Sequence, residues 1–562
     1  MPPSPITHRL SSVIPKRSEG RTVAPSEGGL PKRSKGHAEA LAKAGVLSLT
    51  LLLVLNACTG RPKDVDLIFI NGPEPQSIDP AVLTGQPDGR ISSSLFEGLT
   101  TRNAAGEIIP GMAERWEHDG SHRVYTFHLR QAQWSNGDPV TAADFAGSWR
   151  RILEPATACP YAEILFFIRG AEAYQKGELK DWSQVGIQVL DDRTLRVELR
   201  APTPFFPQVA AFVTYQPVHL PSVERFGESW SRPAHIVSNG PYLLKNWKFN
   251  DRIELLRNER YWRKDQVRLR RIDALSVTKA NTALNLYLTG QADLIIDKSL
   301  IPAVLIEKLR PRPDFHAFTF LANYFYRFNT TRKPFHDPRV RRAFSAAIDR
   351  DRIVQRITKA GELPATSFVP PGLTGYAAVA GLTYSPEKAR QELADAGYPG
   401  GRGFPRTELL YNHTDLNEQV AVEIQAMWKE ILGVDVGLRR QEWATYFKSL
   451  DELDYDIARS SWVGDYPDPL TFLDCFVTGR GNNRTGWSHA AYDRLIEKSN
   501  YEADPVRRFA LLGQAEEILV RQESPIAPVY YFTGIMFYDA GKLGGIEGNL
   551  LDEHPLREMY WK

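Results

Sequence analysis

Residues 455–469 restrict the fold of this chain more than any other segment, because an apolar strand pattern there meets a turn broken by prolines. The alternation of Ile457 with Arg459 is typical of a strand. Pro467 and Pro469 cannot continue it, since proline fixes φ and has no N–H to donate to a neighbouring strand. The segment therefore predicts a β-strand that opens abruptly into a loop.

Asp465 lies where this strand opens, and it is the first candidate for a ligand-binding residue. An isolated aspartate at such a place is usually only a turn former. Here Arg459 and Trp462 precede it, and another tryptophan, Trp443, lies further upstream. A carboxylate, a guanidinium and two indoles so close in sequence favour a binding site over a simple turn.

Composition and charge set broad limits on the class of protein. The chain has 562 residues, of which 42% are hydrophobic and 11% aromatic, so it can bury a large core and should form more than one domain. The formal charge of +2 comes from the first 58 residues, where basic residues outnumber acidic ones. The remainder is slightly acidic, so we expect no nucleic-acid partner.

The amino-terminal residues 1–58 predict a leader followed by a signal peptide. Residues 1–40 are rich in Pro, Ser, Gly and basic residues, which indicates either disorder or a start site assigned too far upstream. Basic residues, the apolar run 46–55 and small residues before Cys58 are typical of an export signal, and the run is too short to span a bilayer comfortably.

The four residues Leu55-Asn56-Ala57-Cys58 resemble a bacterial lipobox, in which the cysteine is lipidated. An ordinary signal peptide followed by a chance cysteine is the alternative. Lipidation of Cys58 would hold the exported protein at a bacterial membrane surface, either periplasmic or on the cell exterior. Cys159 and Cys475 are expected to be free and buried, because one further pair is no disulfide framework.

The rest of the chain mixes strand and helix patterns. Apolar and polar residues alternate at 125–129 and 195–199, which predicts two half-buried strands. Residues 408–438 indicate a strand, a helix and a second strand, which together make a βαβ unit. Ser385 and Pro386 are typical of a helix start.

Several motifs, taken in their order along the chain, resemble those of the oligopeptide-binding proteins of bacterial ABC importers, family 5 of the extracellular solute-binding proteins. The resemblance runs from about residue 67 to residue 560. Besides residues 455–469, it is carried by Leu95-Phe96-Glu97-Gly98-Leu99, Ala113-Glu114-Arg115-Trp116, Tyr125-x-Phe127-x-Leu129-Arg130, Trp134-Ser135-Asn136-Gly137-x-Pro139-Val140-Thr141, Ser238-Asn239-Gly240-Pro241-Tyr242 and Gly481-Asn482-Asn483-Arg484-Thr485-Gly486-Trp487.

The resemblance implies a two-lobed α/β periplasmic-binding-protein fold with an additional subdomain and a ligand cleft between the lobes. Lobe I would comprise three separate segments, the extra subdomain would belong to it, and a hinge would lie near residues 322–326 and 528–531. The implied limits are 62–100, 225–321 and 530–562 for lobe I, 101–224 for the extra subdomain and 322–529 for lobe II. A cysteine pair of some relatives falls at Ala322 and Val463, so that bridge is absent.

The resemblance also assigns roles to the residues around the strand. Asp465 would receive the α-amino group of a peptide. Arg459 suits the peptide carboxylate, with the alternative that it braces Asp465 or another acid. Trp443 and Trp462 would form pocket walls, with burial in the core as the alternative.

Three further positions follow from the resemblance alone. Asp88 falls where relatives place an acid near a ligand residue, and Phe325 falls in the aromatic cluster at the hinge. Asn417 stands where some relatives use a histidine to bind the carboxyl end of longer peptides, so that positive charge is missing here.

An enzyme is the main alternative to a binding protein. Ser385 with Lys388, and Ser276 with Lys279, have the spacing of the nucleophile motif of penicillin-binding peptidases. No Ser-Asp-Asn element accompanies them in order, and Ser385 already has an interpretation as a helix cap. We therefore expect no enzyme.

His118 and His122 have the spacing of a zinc pair on a helix, but the Asp119-Gly120 pair between them predicts a hairpin turn. We expect no metal site and no cofactor. The resemblance implies a monomeric lipoprotein that captures oligopeptides and delivers them to the permease subunits of an ABC transporter. Nickel chelates, haem and oligosaccharides are the alternative ligands.

Overall fold

The computed structural model describes residues 64–479 and 481–562, with the side chain of Ala444 excepted. The predicted leader, the signal peptide and the lipidation site Cys58 lie outside the described residues. None of the helices in the described ranges is both long and apolar enough to cross a membrane.

The described residues form a mixed α/β structure, as the sequence patterns predict. The strands β1 to β19 are Leu67–Gly72, Thr100–Arg102, Ile108–Pro110, Ala113–His118, Val124–Leu129, Ile187–Asp191, Thr194–Glu198, Tyr242–Lys248, Arg252–Arg257, Arg271–Ser276, Leu294–Ile295, Phe315–Phe328, Leu363–Pro364, Thr407–Asn412, Val436–Gln441, Ile457–Val463, Ile526–Phe537, Leu543–Gly544 and Tyr560–Trp561. The helices α1 to α15 are Gln86–Leu95, Ala142–Leu153, Ala171–Gln175, Phe206–Val209, Leu220–Phe226, Ala280–Leu288, Ile306–Leu309, Pro338–Ala346, Arg350–Ile353, Pro386–Asp395, Asp415–Leu432, Trp443–Asp451, Leu470–Leu473, Ala490–Tyr501 and Pro505–Glu517.

Eleven strands form one continuous sheet in the order β15-β14-β16-β12-β17-β11-β1-β10-β9-β8, with β13 paired to β17. The long strands β12 and β17 are antiparallel neighbours near its middle. Tyr324 lies opposite Tyr530, so the two segments expected at the hinge lie side by side. Ala322 lies opposite Val463, as expected for positions where relatives carry a cysteine pair.

The predicted βαβ unit is confirmed as β14, α11 and β15, with the two strands parallel. Val420, Ile424 and Trp428 are fully buried along one side of α11. Because β16 pairs with β14, this unit fixes the strand that leads into the proline-broken loop. Burial of the apolar side of α11 therefore holds β16 in register.

A second sheet, in the order β4-β5-β7-β6, lies within residues 113–198. Tyr125, Phe127, Leu195 and Val197 are buried while their neighbours along each strand are more exposed. This confirms the alternating patterns and explains them, since only one face of the sheet packs on the core. The hairpin between β4 and β5 replaces the helix that a zinc pair would need.

Helix α10 begins as predicted, although the capping differs in detail. Ser385 occupies the N-cap position and Pro386 the first helical position, but the Ser385 side chain makes no capping hydrogen bond. The two described cysteines are free. Cys475 is buried, whereas Cys159 is only half-buried, which corrects the expectation that both are buried.

Candidate functional site

A cavity of 1290 Å³ lies beside the loop that follows β16. Its walls come from distant parts of the chain, so folding brings them together around a single space. The lining comes mainly from residues 83–94, 161–167, 211–216, 462–475 and 551–557. Asp465 and Trp462, both predicted site residues, are among the side chains that face it.

The backbone around Asp465 is held by Thr471. Strand β16 ends at Val463, and the Asp465 N–H then donates to the Thr471 hydroxyl at 3.1 Å. The Trp462 indole N–H donates to the Thr471 carbonyl oxygen at 2.8 Å. The half-buried Asp465 carboxylate itself has no hydrogen-bond or ion-pair partner within the described residues.

Residues that follow Asp465 in this loop are held by contacts of their own. Asp468 accepts two hydrogen bonds from Arg508, at 2.6 and 2.9 Å, and both side chains are buried. Tyr466 packs against Phe167 and Phe205, with ring centroids 5.8 and 5.0 Å apart. Because its neighbours are anchored in this way, the Asp465 carboxylate is held towards the cavity without needing a hydrogen bond from another of the described residues.

The electrostatics of the cavity single out two acids. Burial raises the pKa of Asp465 to about 6, and the nearby charge of Glu163 adds to the effect. The pKa of Tyr161 is raised as well, first by burial and then by the charges of Asp465 and Glu163. Within the described residues, Glu163 also has no ion pair or hydrogen bond to its carboxylate.

The other acids that line the cavity are differently placed, because each has an interaction partner within the protein. Asp474 is not without an interaction partner in the protein. The ion pairs are Glu172 with Lys176 and Arg200, Asp451 with Arg484, Asp552 with His554, and Glu553 with Arg102.

Arg459 lies in a different environment from Asp465. Its guanidinium carbon is 4.6 Å from the centre of the Tyr324 ring, and it donates to the Asn412 side-chain oxygen at 3.3 Å. No acidic partner lies within ion-pair distance of it in the described part of the chain, so the alternative of an acid-bracing role gains no support. Arg459 is not among the residues that line the cavity.

Asn417 is linked to Arg459 rather than to the cavity. Its side-chain amide donates to the backbone oxygen of Asn412 at 3.0 Å and to the Asn412 side-chain oxygen at 3.1 Å. Asn417 is buried, and Asn412 therefore joins it to the guanidinium of Arg459. The structure brings these two predicted residues together, on the other side of β16 from Trp462.

Phe325 and Trp443 also lie away from the cavity lining. Phe325 is fully buried, with its ring 5.1 Å from Phe368 and 6.3 Å from Phe476. Trp443 is the first residue of α12, is 57% exposed and packs edge-on against Phe447 at 4.5 Å.

Asp88 is buried near the start of α1, behind the residues of that helix that line the cavity. Its carboxylate accepts hydrogen bonds from the backbone N–H groups of Gln76 at 3.0 Å and Gly85 at 3.2 Å. These bonds tie the preceding loop to the helix, and they are favoured there because the first helical N–H groups lack intrahelical partners.

Sequence reasoning missed Tyr161 and Glu163, which lie near Asp465 in the folded chain. They are separated from it by about three hundred positions, and no recognisable spacing marks them. The packing of Phe167 against Tyr466 brings this segment to the strand end.

No group of three or more side chains suited to hold a metal ion occurs in the described ranges. His118 and His122 stack at 4.0 Å on the β4–β5 hairpin, as two histidines without a third ligand. The cavity therefore offers hydrogen bonding, apolar contact and unpaired negative charge.

Comparison with known proteins places these features in a family. The chain matches bacterial extracellular solute-binding proteins, family 5 middle, over residues 107–484. It is 36% identical to the periplasmic oligopeptide-binding protein of Salmonella typhimurium over an alignment of 544 positions that covers 93% of this chain and 98% of the relative.

Two solved structures resemble the fold. The periplasmic murein tripeptide-binding protein MppA in its unliganded open form aligns with a TM-score of 0.77 at 33% identity, covering 89% of this chain and 98% of that one. The oligopeptide-binding protein of Haemophilus influenzae in complex with RPPGFSPFR aligns with a TM-score of 0.73 at 30% identity, covering 89% of this chain and all of the other. The fold is thus the two-lobed α/β fold of periplasmic binding proteins, and the chain belongs to family 5 of the bacterial extracellular solute-binding proteins.

Proposed function

We propose that this protein captures oligopeptides in the cavity beside Asp465 and delivers them to the permease subunits of an ABC importer. The observation that carries the proposal is the half-buried Asp465 carboxylate, which faces a large cavity and has no cationic partner within the residues that the structure describes. Such a group costs free energy until a ligand neutralises it. A peptide α-ammonium group does so and donates hydrogen bonds as well.

The size of the cavity also supports a peptide. Sites for small molecules commonly span about 300–1,000 Å³, and this cavity of 1290 Å³ exceeds that range. The relatives point the same way, since the Salmonella protein is named for oligopeptides and the Haemophilus complex holds a nine-residue peptide.

The predicted residues divide by position in the proposed site. Asp465 receives the amino end and Trp462 forms a wall. Arg459 and Asn417, joined through Asn412, form a separate polar group for which reading the peptide carboxylate stays a prediction. Asp88 and Phe325 support the cavity from behind, and Trp443 lies on an exposed helix start.

The proposal includes closure of one lobe on the other. Lobe I would be 62–100, 225–321 and 530–562, with 101–224 as the extra subdomain, and lobe II would be 322–529. The ring of Tyr466, in the proposed lobe II, stacks on that of Phe205, in the proposed extra subdomain, and so connects these two parts. A ligand that contacts both sides stabilises the closed state by its differential affinity. Small-angle scattering should show a smaller radius of gyration with peptide than without.

The proposal also includes export, lipidation at Cys58, monomeric behaviour and the absence of turnover. A Cys58→Ser variant should move from the membrane fraction to the soluble fraction of the exported protein. Tri- to hexapeptides incubated with the protein should be returned intact, and a release of amino acids abolished by Ser385→Ala would contradict a pure binding role.

The deciding experiment is a calorimetric titration with a pentapeptide and its amino-acetylated form. Acetylation removes the ammonium charge, so the acetylated peptide should bind at least tenfold more weakly. Native mass spectrometry of the purified protein gives an independent readout, because a peptide that copurifies should appear as a mass increment. Equal affinity for both peptides would overturn the proposed role of Asp465 and favour a non-peptide ligand.

A further inference from the structure

One acid that faces the cavity, Glu163, has no role in the capture of an α-ammonium group by Asp465. Among the described residues, Lys176 pairs with Glu172, Arg484 with Asp451 and Arg102 with Glu553. Asp465 and Glu163 have no such partner in the ranges that the structure describes.

The two unpaired carboxylates are close enough to affect each other. Both line the same cavity, and the ring of Phe167, near Glu163 in sequence, packs 5.8 Å from that of Tyr466, the residue after Asp465. The charge of Glu163 accordingly disfavours the ionised form of Asp465, and both charges disfavour ionisation of Tyr161. A single ammonium group from a peptide would neutralise Asp465 and leave the negative charge of Glu163 uncompensated. The uncompensated charge of Glu163 would therefore favour a second positive charge on the ligand, close to the α-ammonium group.

On these grounds, and resting on the proposed function, we propose that Glu163 makes the cavity select peptides whose first residue carries a basic side chain. In such a residue the α-ammonium group and the side-chain cation belong to the same unit, so both can reach the paired acids. No other position of an extended peptide brings a second cation as near to its amino end.

The surroundings of Glu163 suit a long basic side chain. Phe166 and Phe167 follow it closely in sequence and line the same cavity, as does Phe212, whose ring lies 5.9 Å from that of Tyr161. Lysine and arginine bury their methylene stems against apolar rings while the charged end stays near polar groups. Glu163 itself is exposed, so its contribution is moderated by water and selectivity rather than large affinity is expected.

The test compares two tripeptides that differ in one charged group. Lys-Ala-Ala and norleucine-Ala-Ala have first residues of nearly the same length, but norleucine ends in a methyl group. Calorimetry on the wild type should give roughly fivefold tighter binding of the lysine peptide, the scale of a partly exposed charge pair. In Glu163→Gln the ratio should fall to about one while the norleucine peptide binds as before.

Glu178→Gln is the matched control, because Glu178 is an exposed acid of the same region that does not line the cavity. It changes the net charge equally and should keep the wild-type ratio. A wild-type ratio of one, or a ratio that Glu163→Gln leaves unchanged, would overturn the inference while the proposed function stands. If neither tripeptide binds the wild type, the proposed function fails and this inference fails with it.

Discussion

The two charged residues predicted from strand β16 and its loop have opposite surroundings. Arg459 lies within the strand, above the ring of Tyr324 and next to Asn412, away from the cavity lining. Asp465 lies just beyond the strand end, and its carboxylate faces the cavity without a partner in the described part of the chain. The difference teaches that an unneutralised charge alone does not make a ligand-binding residue, since of these two residues only Asp465 also lines the cavity.

The largest expected effect comes from removing the charge of Asp465. Breaking a shielded charge pair costs roughly 2–5 kcal/mol, so Asp465→Asn should weaken peptide binding by about thirtyfold or more. The melting temperature of the unliganded protein should stay the same or rise slightly at pH 7, because the ionised carboxylate is disfavoured there. Titration calorimetry and thermal melts measure the two effects.

Combining Asp465→Asn with acetylation of the peptide, in the manner of a double-mutant cycle, tests whether the two changes remove one interaction. The variant and the acetylated peptide remove the same interaction, so their combined loss should be much smaller than the sum of the separate losses. Additive losses would mean that the ammonium group is bound elsewhere in the cavity.

A pH profile tests the same acid without a mutation. The Asp465 pKa of about 6 in the unliganded protein should fall when an ammonium group binds, so affinity is full above pH 7 and is lost as the pH drops below 6. Affinity should be about tenfold lower at pH 5 than at pH 7.5, following one proton per site.

Other titratable groups face Asp465, and they must be separated from it. These are Glu163 and Tyr161 on one side, and Asp474 and Cys475 on the other. Asp465→Asn should flatten the profile between pH 5 and 7.5, whereas Glu163→Gln should only shift it to lower pH. A profile unchanged in Asp465→Asn would assign the titration to another group.

A smaller loss of affinity is expected when the carboxyl end of the peptide, the group predicted to lie near Arg459, is changed. Asn417 offers no positive charge to a peptide carboxylate, so carboxyl-terminal amidation of a pentapeptide should cost about 1 kcal/mol, the scale of a neutral hydrogen bond. Calorimetry with the amidated peptide measures the cost. A loss of a hundredfold or more, abolished in Arg459→Gln, would show that the guanidinium reaches the ligand after all.

Much of the local structure could be predicted from the sequence, because it depends on periodicity. The alternation at 125–129 and the βαβ unit at 408–438 follow from burial of one face, and both occur as expected. The pairing of Ala322 with Val463 followed from the resemblance. These features need only neighbours within a few turns or one adjacent strand.

The site was harder to predict, for two different reasons. Arg459 and Trp462 are three positions apart, and side chains alternate along a strand, so their separation onto opposite faces could have been predicted. Glu163 could not, because its approach to Asp465 depends on tertiary packing through Tyr466. Charge partners across a cavity leave no periodic signal in the chain.

The smallest expected effect distinguishes the two tryptophans that the sequence predicts as pocket walls. Trp443 is 57% exposed at the start of α12 and lies outside the cavity lining, whereas Trp462 lines the cavity. Trp443→Ala should therefore change peptide affinity by less than about twofold, as residues outside the buried centre of an interface usually do. Trp462→Ala, measured beside it, should weaken binding by about tenfold, the scale of a buried aromatic contact. Calorimetry with one pentapeptide gives both values, and melting curves check that each variant folds. A larger loss of affinity in Trp443→Ala than in Trp462→Ala would mean that the peptide extends along α12. The face of β16 that carries Arg459 would then belong to the binding site.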